Sequence, residues 1–565
     1  MSRALPARSP LADSPTWPEE FRDRYRRLGH WLPETFDGWL RARTSEHAGR
    51  VAVIGTDAGR RPVRWTYGDL EDQIELWAGR FGGLGIRAGD RVVVQLPNIV
   101  EFVPVVFGLF RIGALPVFAL PGHRERELAQ FCRIADAAAH VVCGLADGVD
   151  FRGLHAVVAA RLDGVAPPLL VDVQRPPAAG AAVPAPREPE EVGFLQLSGG
   201  TTGISKLIPR TASDYLYSVR ESATICGLTA DSRLLVVLPV AHNFPMSSPG
   251  ILGVLHVGGS IVLAPDPSPR TAFDLIERER VTIASLVPPL AQAWLSTARR
   301  RPPRLDSLEL LQVGGAKLAP AVADDIGPVM GVGLQQVFGM AEGLVNYTRA
   351  GDPDDIVRIS QGLPISPDDE LRIVDPETGV VVAPGAEGVL QTRGPYTIRG
   401  YYRDPAANRV SFTDDGFYVT GDLVRQLPTG HLVVTGRVKD QINRGGEKIA
   451  AAEVEDLLLT HPAVRDAVVV GLPDDYLGER TCAFIVPDEA GRASAEDAAG
   501  RGSGLARELG ATLRSAGLAT FKLPDQYRFL SELPATGVGK NSRRDLRALL
   551  TERFTEPPRT TGRPA

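Results

Sequence analysis

Residues 198–206 read SGGTTGISK and lie between the apolar runs Phe194–Leu197 and Leu207–Ile208. Gly199, Gly200 and Gly203 permit positive φ and let a ligand approach the backbone closely. Runs of free backbone N–H groups form anion-binding nests. Ser198, Thr201, Thr202 and Lys206 add hydroxyl and ammonium donors for the same anion, so the stretch reads as a triphosphate-gripping loop. It is no Walker loop, because its lysine does not directly follow a glycine and G-x-x-x-x-G-K-[ST] cannot be threaded through it. Taken alone, a Ser/Gly-rich turn reads more simply as a plain connection, and the surrounding chain must decide.

A chain of 565 residues exceeds one core and implies two or more domains. Its net charge of -6 argues against a nucleic-acid binder, which needs a basic face. Cys132, Cys143, Cys226 and Cys482 are scattered without a C-x-x-C pair, which fits a reducing cytoplasm better than a disulfide framework or zinc site. The first residues, MSRALPARSPLADSP, lack the apolar core of a signal peptide. The most apolar stretch, Phe102–Leu120, is interrupted by Pro104 and Arg111, so no membrane span is expected.

Of the 62 basic residues only six are lysine: Lys206, Lys317, Lys439, Lys448, Lys522 and Lys540. Lysine is a compact charge on a thin stem, suited to a crowded phosphate or a reacting centre. All six lie beyond residue 200, several in glycine-rich stretches.

Along the chain, 51–54 reads as a strand. Thr66 with Asp69 forms a capping-box signature opening a helix with Leu70, Ile74 and Trp77 on its apolar face. A strand at 91–96, a helix over 99–110 and a strand at 114–119 follow. This alternation predicts an α/β layered domain with parallel strands. The G-x-G at Gly83–Gly85 follows a helix, which excludes a dinucleotide fingerprint. Residues 166–190, rich in proline and alanine, predict a surface excursion.

Further on, LLVVLPVAHNFPMSSPG (234–250) runs from a buried strand into a turn with His242, Asn243, Ser247 and Ser248. The carboxyl end of such a strand is where α/β sheets place ligands. LQVGGAK (311–317) and LQQVFGMAEG (334–343) repeat the strand-then-glycine pattern. Glu342 reads either as a metal ligand or as a helix-start carboxylate. YVTGD (418–422) ends in Asp422, whose two oxygens suit both hydroxyls of a ribose. GRVKDQINRGGEK (436–448) marks a linker into a second, smaller domain, and GVGKNS (537–542) sets Lys540 on a late glycine-rich turn.

In this order the motifs resemble the adenylate-forming superfamily over nearly the whole chain. The stretches LQLSGGTTGISKLIPRT, AHNFPMSSPGILGVL, LQQVFGMAEGLVNYTR and RGPYTIRGYY look most like the stand-alone aryl-acid AMP ligases of siderophore and nonribosomal-peptide assembly, in particular 2,3-dihydroxybenzoate–AMP ligases. The resemblance implies an N-terminal AMP-binding domain (1–436) of α/β layers plus a distorted β-barrel subdomain. A mobile α+β lid (437–565) carries the catalytic lysine. It implies ATP and Mg²⁺, an aryl acid, and a separate phosphopantetheinylated aryl carrier protein.

The residue roles it implies are these. Ser198, Gly199, Gly200, Thr201, Thr202, Gly203 and Lys206 hold phosphates, and Glu342 sits by Mg²⁺. Gly315 and Met340 flank adenine, and Asp422 with Arg437 fixes ribose. Lys540 bridges carboxylate and phosphate oxygens in the transition state, with His242 beside it. Lys439 is the hinge, and Gly445 with Gly446 lines the pantetheine path. Lys317 is placed near the aryl pocket, whereas Lys522 is ordinary.

In that pocket Asn243 meets the ortho-hydroxyl and carboxylate, and His242, Phe244 and Gly315 form walls. Ser248 bonds a meta-hydroxyl and Val345 closes the floor. Ser248 with Val345 favours 2,3-dihydroxybenzoate. Phe244 stands where such ligases commonly carry tyrosine, which leaves salicylate, 3-hydroxypicolinate and 3-hydroxyanthranilate open. Coenzyme A remains the alternative acceptor.

Overall fold

The computed structural model describes residues 14–180, 183–198, 205–444, 447–474, 476–488, 504–536 and 539–551. Among these, the strands form two large sheets, a smaller antiparallel sheet and a separate C-terminal sheet.

The first helix of the α/β layers, Tyr67–Gly83, begins as its capping box requires. Asp69 N donates to Thr66 Oγ1 at 3.1 Å and Thr66 N to the Asp69 carboxylate at 2.9 Å. Its apolar face buries Leu70, Ile74, Trp77 and Phe81. It rests on the helix Phe102–Arg111, every residue of which is buried. The close approach depends on Gly108, where an added Cβ would sit 3.0 Å from the Trp77 side chain. The interior arginine of this layer, Arg111, is neutralised by Asp37 and Glu71, each at 2.8 Å.

The six-stranded sheet runs Leu207–Thr211, Val192–Leu197, Leu115–Phe118, Arg91–Gln95, Ala139–Val142, Leu169–Asp172. Its outermost strand, Leu169–Asp172, falls inside the expected surface excursion over 166–190. The apolar run at 169–171 pairs in parallel with Ala139–Val142. Further along, Gly180 packs against the helix, its carbonyl 2.7 Å from where a Gly79 Cβ would be. Beyond that strand the described residues of 175–190 are mostly exposed, as the proline and alanine content signals. The expected helix over 99–110 begins later, at Phe102.

The nine-stranded sheet has a parallel centre, Val51–Thr56, Ser260–Leu263, Arg233–Val236, Ile283–Leu286, Leu310–Gly314 and Gly333–Met340, with antiparallel strands at both edges. The parallel expectation therefore holds for the centre and not for the edges. The barrel-like subdomain expected from the resemblance is, among the described residues, a four-stranded antiparallel sheet of Glu370–Val374, Gly388–Arg393, Tyr418–Gln426 and Leu432–Arg437.

From Arg437 the chain passes through a short 3-10 turn into the C-terminal sheet, whose first strand is Ile442–Arg444. This α+β unit has its own core of Ile442, Ile449, Val454, Leu458, Val469, Ile485, Leu509 and Leu513. Two ion pairs tie it to the larger unit. Lys317 bonds Asp456 at 2.6 Å and Lys448 bonds Glu377 at 2.6 Å. Lys317, expected near the aryl pocket, thus spends its charge across the inter-domain boundary. Lys522 pairs with Glu453 at 2.6 Å within the small unit.

Gly362 stands where the chain crosses behind the strand Leu344–Tyr347. It has φ +85°, and a Cβ there would lie 1.9 Å from the Tyr347 carbonyl. Gly362→Ala should cost about 4 kcal/mol or more, as strain plus a backbone clash. The urea midpoint of unfolding would report it, and an unchanged midpoint would contradict the packing.

Candidate active site

The hairpin that presents the 198–206 loop is closed at its base. Leu197 pairs with Leu207, Ser198 N donates to Lys206 O at 3.0 Å, and Lys206 N donates to Ser198 Oγ at 2.9 Å. Gly199, Gly200, Thr201, Thr202 and Gly203 lie outside the described residues, as do Gly445 and Gly446. Beyond the hairpin Ile208 packs with Ile398, Tyr401, Tyr418 and Met340, which brings the loop base to the turn after Gly333–Met340. There the Lys206 ammonium stands 4.4 Å over the Tyr401 ring, and the Tyr401 hydroxyl donates to Glu342 at 2.9 Å. Glu342 is buried. Lys206 and Glu342, distant in sequence, are thus joined through one tyrosine that the sequence reading did not single out.

Asp422 and Arg437 are register partners on adjacent antiparallel strands, with Arg437 Nε donating to Asp422 at 2.6 Å. Asp422 lies within the strand Tyr418–Gln426 rather than at its end. Burial pushes Asp422 up against the opposing pull of Arg437, while Asp422 raises Arg437. Lys439, two residues beyond Arg437, is lowered by burial and by Arg437, and it also feels Lys206.

Lys540 reaches this place from the C-terminal unit. Its turn is held by Gly539 N to Thr536 O at 2.8 Å and Thr536 N to Lys540 O at 2.7 Å. The side chain lies along Gly315, where a Cβ would meet Lys540 Cε at 2.9 Å, and Gly315 itself has φ +82°. Lys540 keeps some solvent contact but is surrounded by protein. Desolvation, then Arg437, lowers its pKa to about 8, with Asp422 pulling the other way. His242 is likewise lowered to about 3, by desolvation and then by the Lys540 charge. It is therefore neutral, with Nδ1 accepting from Phe244 N at 3.3 Å, which leaves Nε2–H as a donor.

The residues expected to form the aryl pocket also meet. Register places Gly314 beside Val337, Gly339 beside Val345 and Val337 beside Tyr347, all on one sheet face. The Phe244 ring packs on that face, 3.2 Å from where a Gly314 Cβ would sit. Ser248, Val345 and Phe244 are buried, and His242 and Asn243 are partly exposed. The Val345 backbone N–H donates to Tyr396 Oη at 3.1 Å, and Tyr396 donates to the partly buried Asp369 at 2.7 Å. Asn243 Oδ1 accepts from the Tyr215 hydroxyl at 2.8 Å.

Comparison with known proteins agrees with this bilobal arrangement. The "AMP-binding enzyme" family model matches residues 40–402, and the "AMP-binding enzyme C-terminal domain" model matches 453–540. The chain belongs to the AMP-binding enzyme family of adenylate-forming ligases. It is 49% identical to a 2,3-dihydroxybenzoate-AMP ligase of Bacillus subtilis, over 95% of this chain and 98% of that one. It is 45% identical to a salicyl-AMP ligase / salicyl-S-ArCP synthetase of Mycobacterium tuberculosis, over 94% and 93%. The apo structure of MbtA from Mycobacterium smegmatis is similar at 44% identity and a TM-score of 0.70, covering 95% of this chain and 99% of that one.

A ligase of this family binds ATP, and the site suits it: Lys206, Arg437, Lys439 and Lys540 outnumber Asp422 and Glu342 around one cleft. Magnesium is usually held by one or two carboxylates plus substrate phosphates, and Glu342 supplies a carboxylate with only one oxygen bonded to Tyr401. Lys540 should titrate near pH 8 when followed by NMR of the labelled ε-amino group. Arg437→Gln should raise that value, since it removes the repelling charge and leaves Asp422 uncompensated. Titration at the ordinary lysine value of 10.5 would contradict the geometry.

Proposed function

We propose that this ligase activates a hydroxylated aryl acid as its adenylate and passes the aryl group to the phosphopantetheine thiol of a separate aryl carrier protein. The carrying observation is the meeting of Lys540 with Gly315, His242, Asp422 and Arg437 at the mouth of the pocket that holds Asn243, Phe244, Ser248 and Val345. The acid's carboxylate oxygen forms a bond to the α-phosphorus of ATP, and the bond from that phosphorus to the β-bridging oxygen breaks, releasing pyrophosphate. Charge grows on the oxygens between acid and phosphate, where the Lys540 ammonium supplies a preorganised donor. His242, neutral with Nε2–H free, supplies a second donor toward the carboxylate. Glu342 would hold Mg²⁺, which would supply positive charge on the pyrophosphate side.

In the second half-reaction the carrier's thiol sulfur forms a bond to the acyl carbon, AMP leaves with the bonding pair, and the thiol proton passes to solvent. The exchange of one partner for the other is assigned to rotation of residues 437–565 about Lys439, with 1–436 as the fixed domain. Gly445 and Gly446 are assigned to the pantetheine path.

Ser248 with Val345 supports 2,3-dihydroxybenzoate, because a hydroxyl and a short side chain leave polar room beside the ring. Phe244 carries no phenol, so one potential hydrogen bond to the acid is missing there. Four free cysteines fit a reducing, cytoplasmic setting, and no helix among the described residues is long and apolar enough to cross a membrane.

ATP–pyrophosphate exchange across substituted benzoates and picolinates should show stimulation by 2,3-dihydroxybenzoate above benzoate by at least about tenfold, the value of one satisfied polar contact. Transfer should then favour a holo aryl carrier protein over coenzyme A. Exchange with no aryl acid would refute the activity.

A further inference from the structure

One buried charge pair beside the cleft takes no part in the reaction as proposed. Arg210 and Asp214 are 2% and 4% exposed, and Arg210 Nε donates to Asp214 Oδ1 at 3.0 Å. The helix Ala212–Ile225 explains the acid, because Asp214 closes its capping box with Thr211. Nothing in the strand Leu207–Thr211 itself demands an arginine, and a buried guanidinium is costly unless it is paired and hydrogen-bonded. Its remaining use is visible in the structure: Arg210 Nη1 donates to the main-chain oxygen of Ala341 at 2.8 Å. The central guanidinium carbon lies 4.9 Å from the centre of the Tyr215 ring, which closes the group in from one side.

Both ends of that bond belong to the nucleotide cleft. Arg210 stands on the strand that leaves the 198–206 loop, just past Lys206. Ala341 directly precedes Glu342, in the tight turn between the antiparallel strands Gly333–Met340 and Leu344–Tyr347. The two ends sit in different sheets, Arg210 in the six-stranded one and the turn in the nine-stranded one. Carbonyls in so short a turn have no strand partner and must be satisfied from elsewhere. Glu342 O accepts from Ile398 N at 2.8 Å, Gly343 O from Thr397 Oγ1 at 2.7 Å, and Ala341 O from Arg210. Thr397 and Ile398 lie on the same loop as Tyr401, whose hydroxyl donates to the Glu342 carboxylate. Of the three donors to the turn's backbone, the charged one comes from the phosphate-loop hairpin.

We propose that Arg210 is a positioning residue that ties the Glu342 turn to the phosphate-loop hairpin, so that the carboxylate and the polyphosphate are presented to one Mg²⁺ at a fixed spacing. This rests on the reading that Glu342 holds Mg²⁺. Magnesium demands near-ideal octahedral geometry and is usually bound by one or two carboxylates plus substrate phosphates. Carboxylate and phosphate grip are here carried by separate sheets, so their spacing needs a link between the two. A guanidinium suits that task, because its hydrogen bonds are charge-assisted and its rigid fork reaches two acceptors at once. Asp214 aims the fork from one side and Ala341 O receives it on the other. A lysine at the same position keeps the charge for Asp214 but is a single point that loses the span.

The test is calorimetric titration of the full chain with ATP, without aryl acid, once in Mg²⁺ and once in EDTA. The ratio of the two affinities is the gain that the metal provides. In the wild type that gain should be about tenfold or more, and Arg210→Lys should cut it to about threefold or less while the affinity in EDTA stays within about twofold, as loss of one hydrogen bond from a charged group requires. Glu342→Gln should lose the gain as well. A gain kept by Arg210→Lys and lost by Glu342→Gln would overturn the proposal and leave the magnesium reading standing. Equal weakening of ATP binding with and without Mg²⁺ would make Arg210 merely structural and overturn it too. A gain kept by Glu342→Gln, or absent from the wild type, would instead remove the magnesium reading and the proposal with it. If Arg210→Lys does not fold, the double variant Arg210→Met with Asp214→Asn decides, since it removes both buried charges together. It should show the same loss of gain, and a gain equal to that of the wild type overturns the proposal.

Discussion

A lysine on a late turn of the C-terminal unit lying beside an arginine at the end of the four-stranded antiparallel sheet is an arrangement that the folded chain holds against electrostatic repulsion. Desolvation and then Arg437 lower the pKa of Lys540, and Asp422 only partly compensates. Lys439 and Lys206 bring more positive charge to the same cleft. In a chain whose net charge is -6 this is a local inversion of sign. Clefts lined by one sign of charge concentrate counter-ions, and a polyphosphate is the ligand that relieves this one.

The inter-domain contacts are consistent with a placement that can be given up. Lys317–Asp456 and Lys448–Glu377 both keep solvent contact, the latter pair heavily. Ion pairs of that exposure are worth about 0–1 kcal/mol each. Lys540 belongs to a unit with its own core, joined to the larger unit by these ion pairs. The aryl pocket, by contrast, is built on rigid elements: three sheet strands in register, a buried helix, and the Tyr396–Asp369 bond behind Val345.

What was legible in the sequence follows from the range of each interaction. The Thr66–Asp69 cap, the strand-then-glycine turns and the small second domain are local patterns, and they are present as read. The edge strand at 169–172 was hidden because its partner, Ala139–Val142, is about thirty residues away and its flanks are proline-rich. The partner of Lys317, Asp456, was not legible because it belongs to the C-terminal unit. The family resemblance brought together Lys206, Glu342, Asp422, Arg437 and Lys540. It could not supply Tyr401 or Tyr215, since an aromatic on a buried helix or loop looks the same whether it fills a core or aims a hydroxyl.

The central claim is that Lys540 serves the adenylation step and not the thiol step. Single-turnover quench experiments on Lys540→Ala can separate the two halves: aryl-AMP formation from ATP and acid, and thioester formation from preformed aryl-AMP and holo carrier protein. The account predicts that the first slows by about a hundredfold or more, as loss of a preorganised transition-state donor requires, while the second stays near wild type. Equal slowing of both halves, or an unaffected first half, would contradict it.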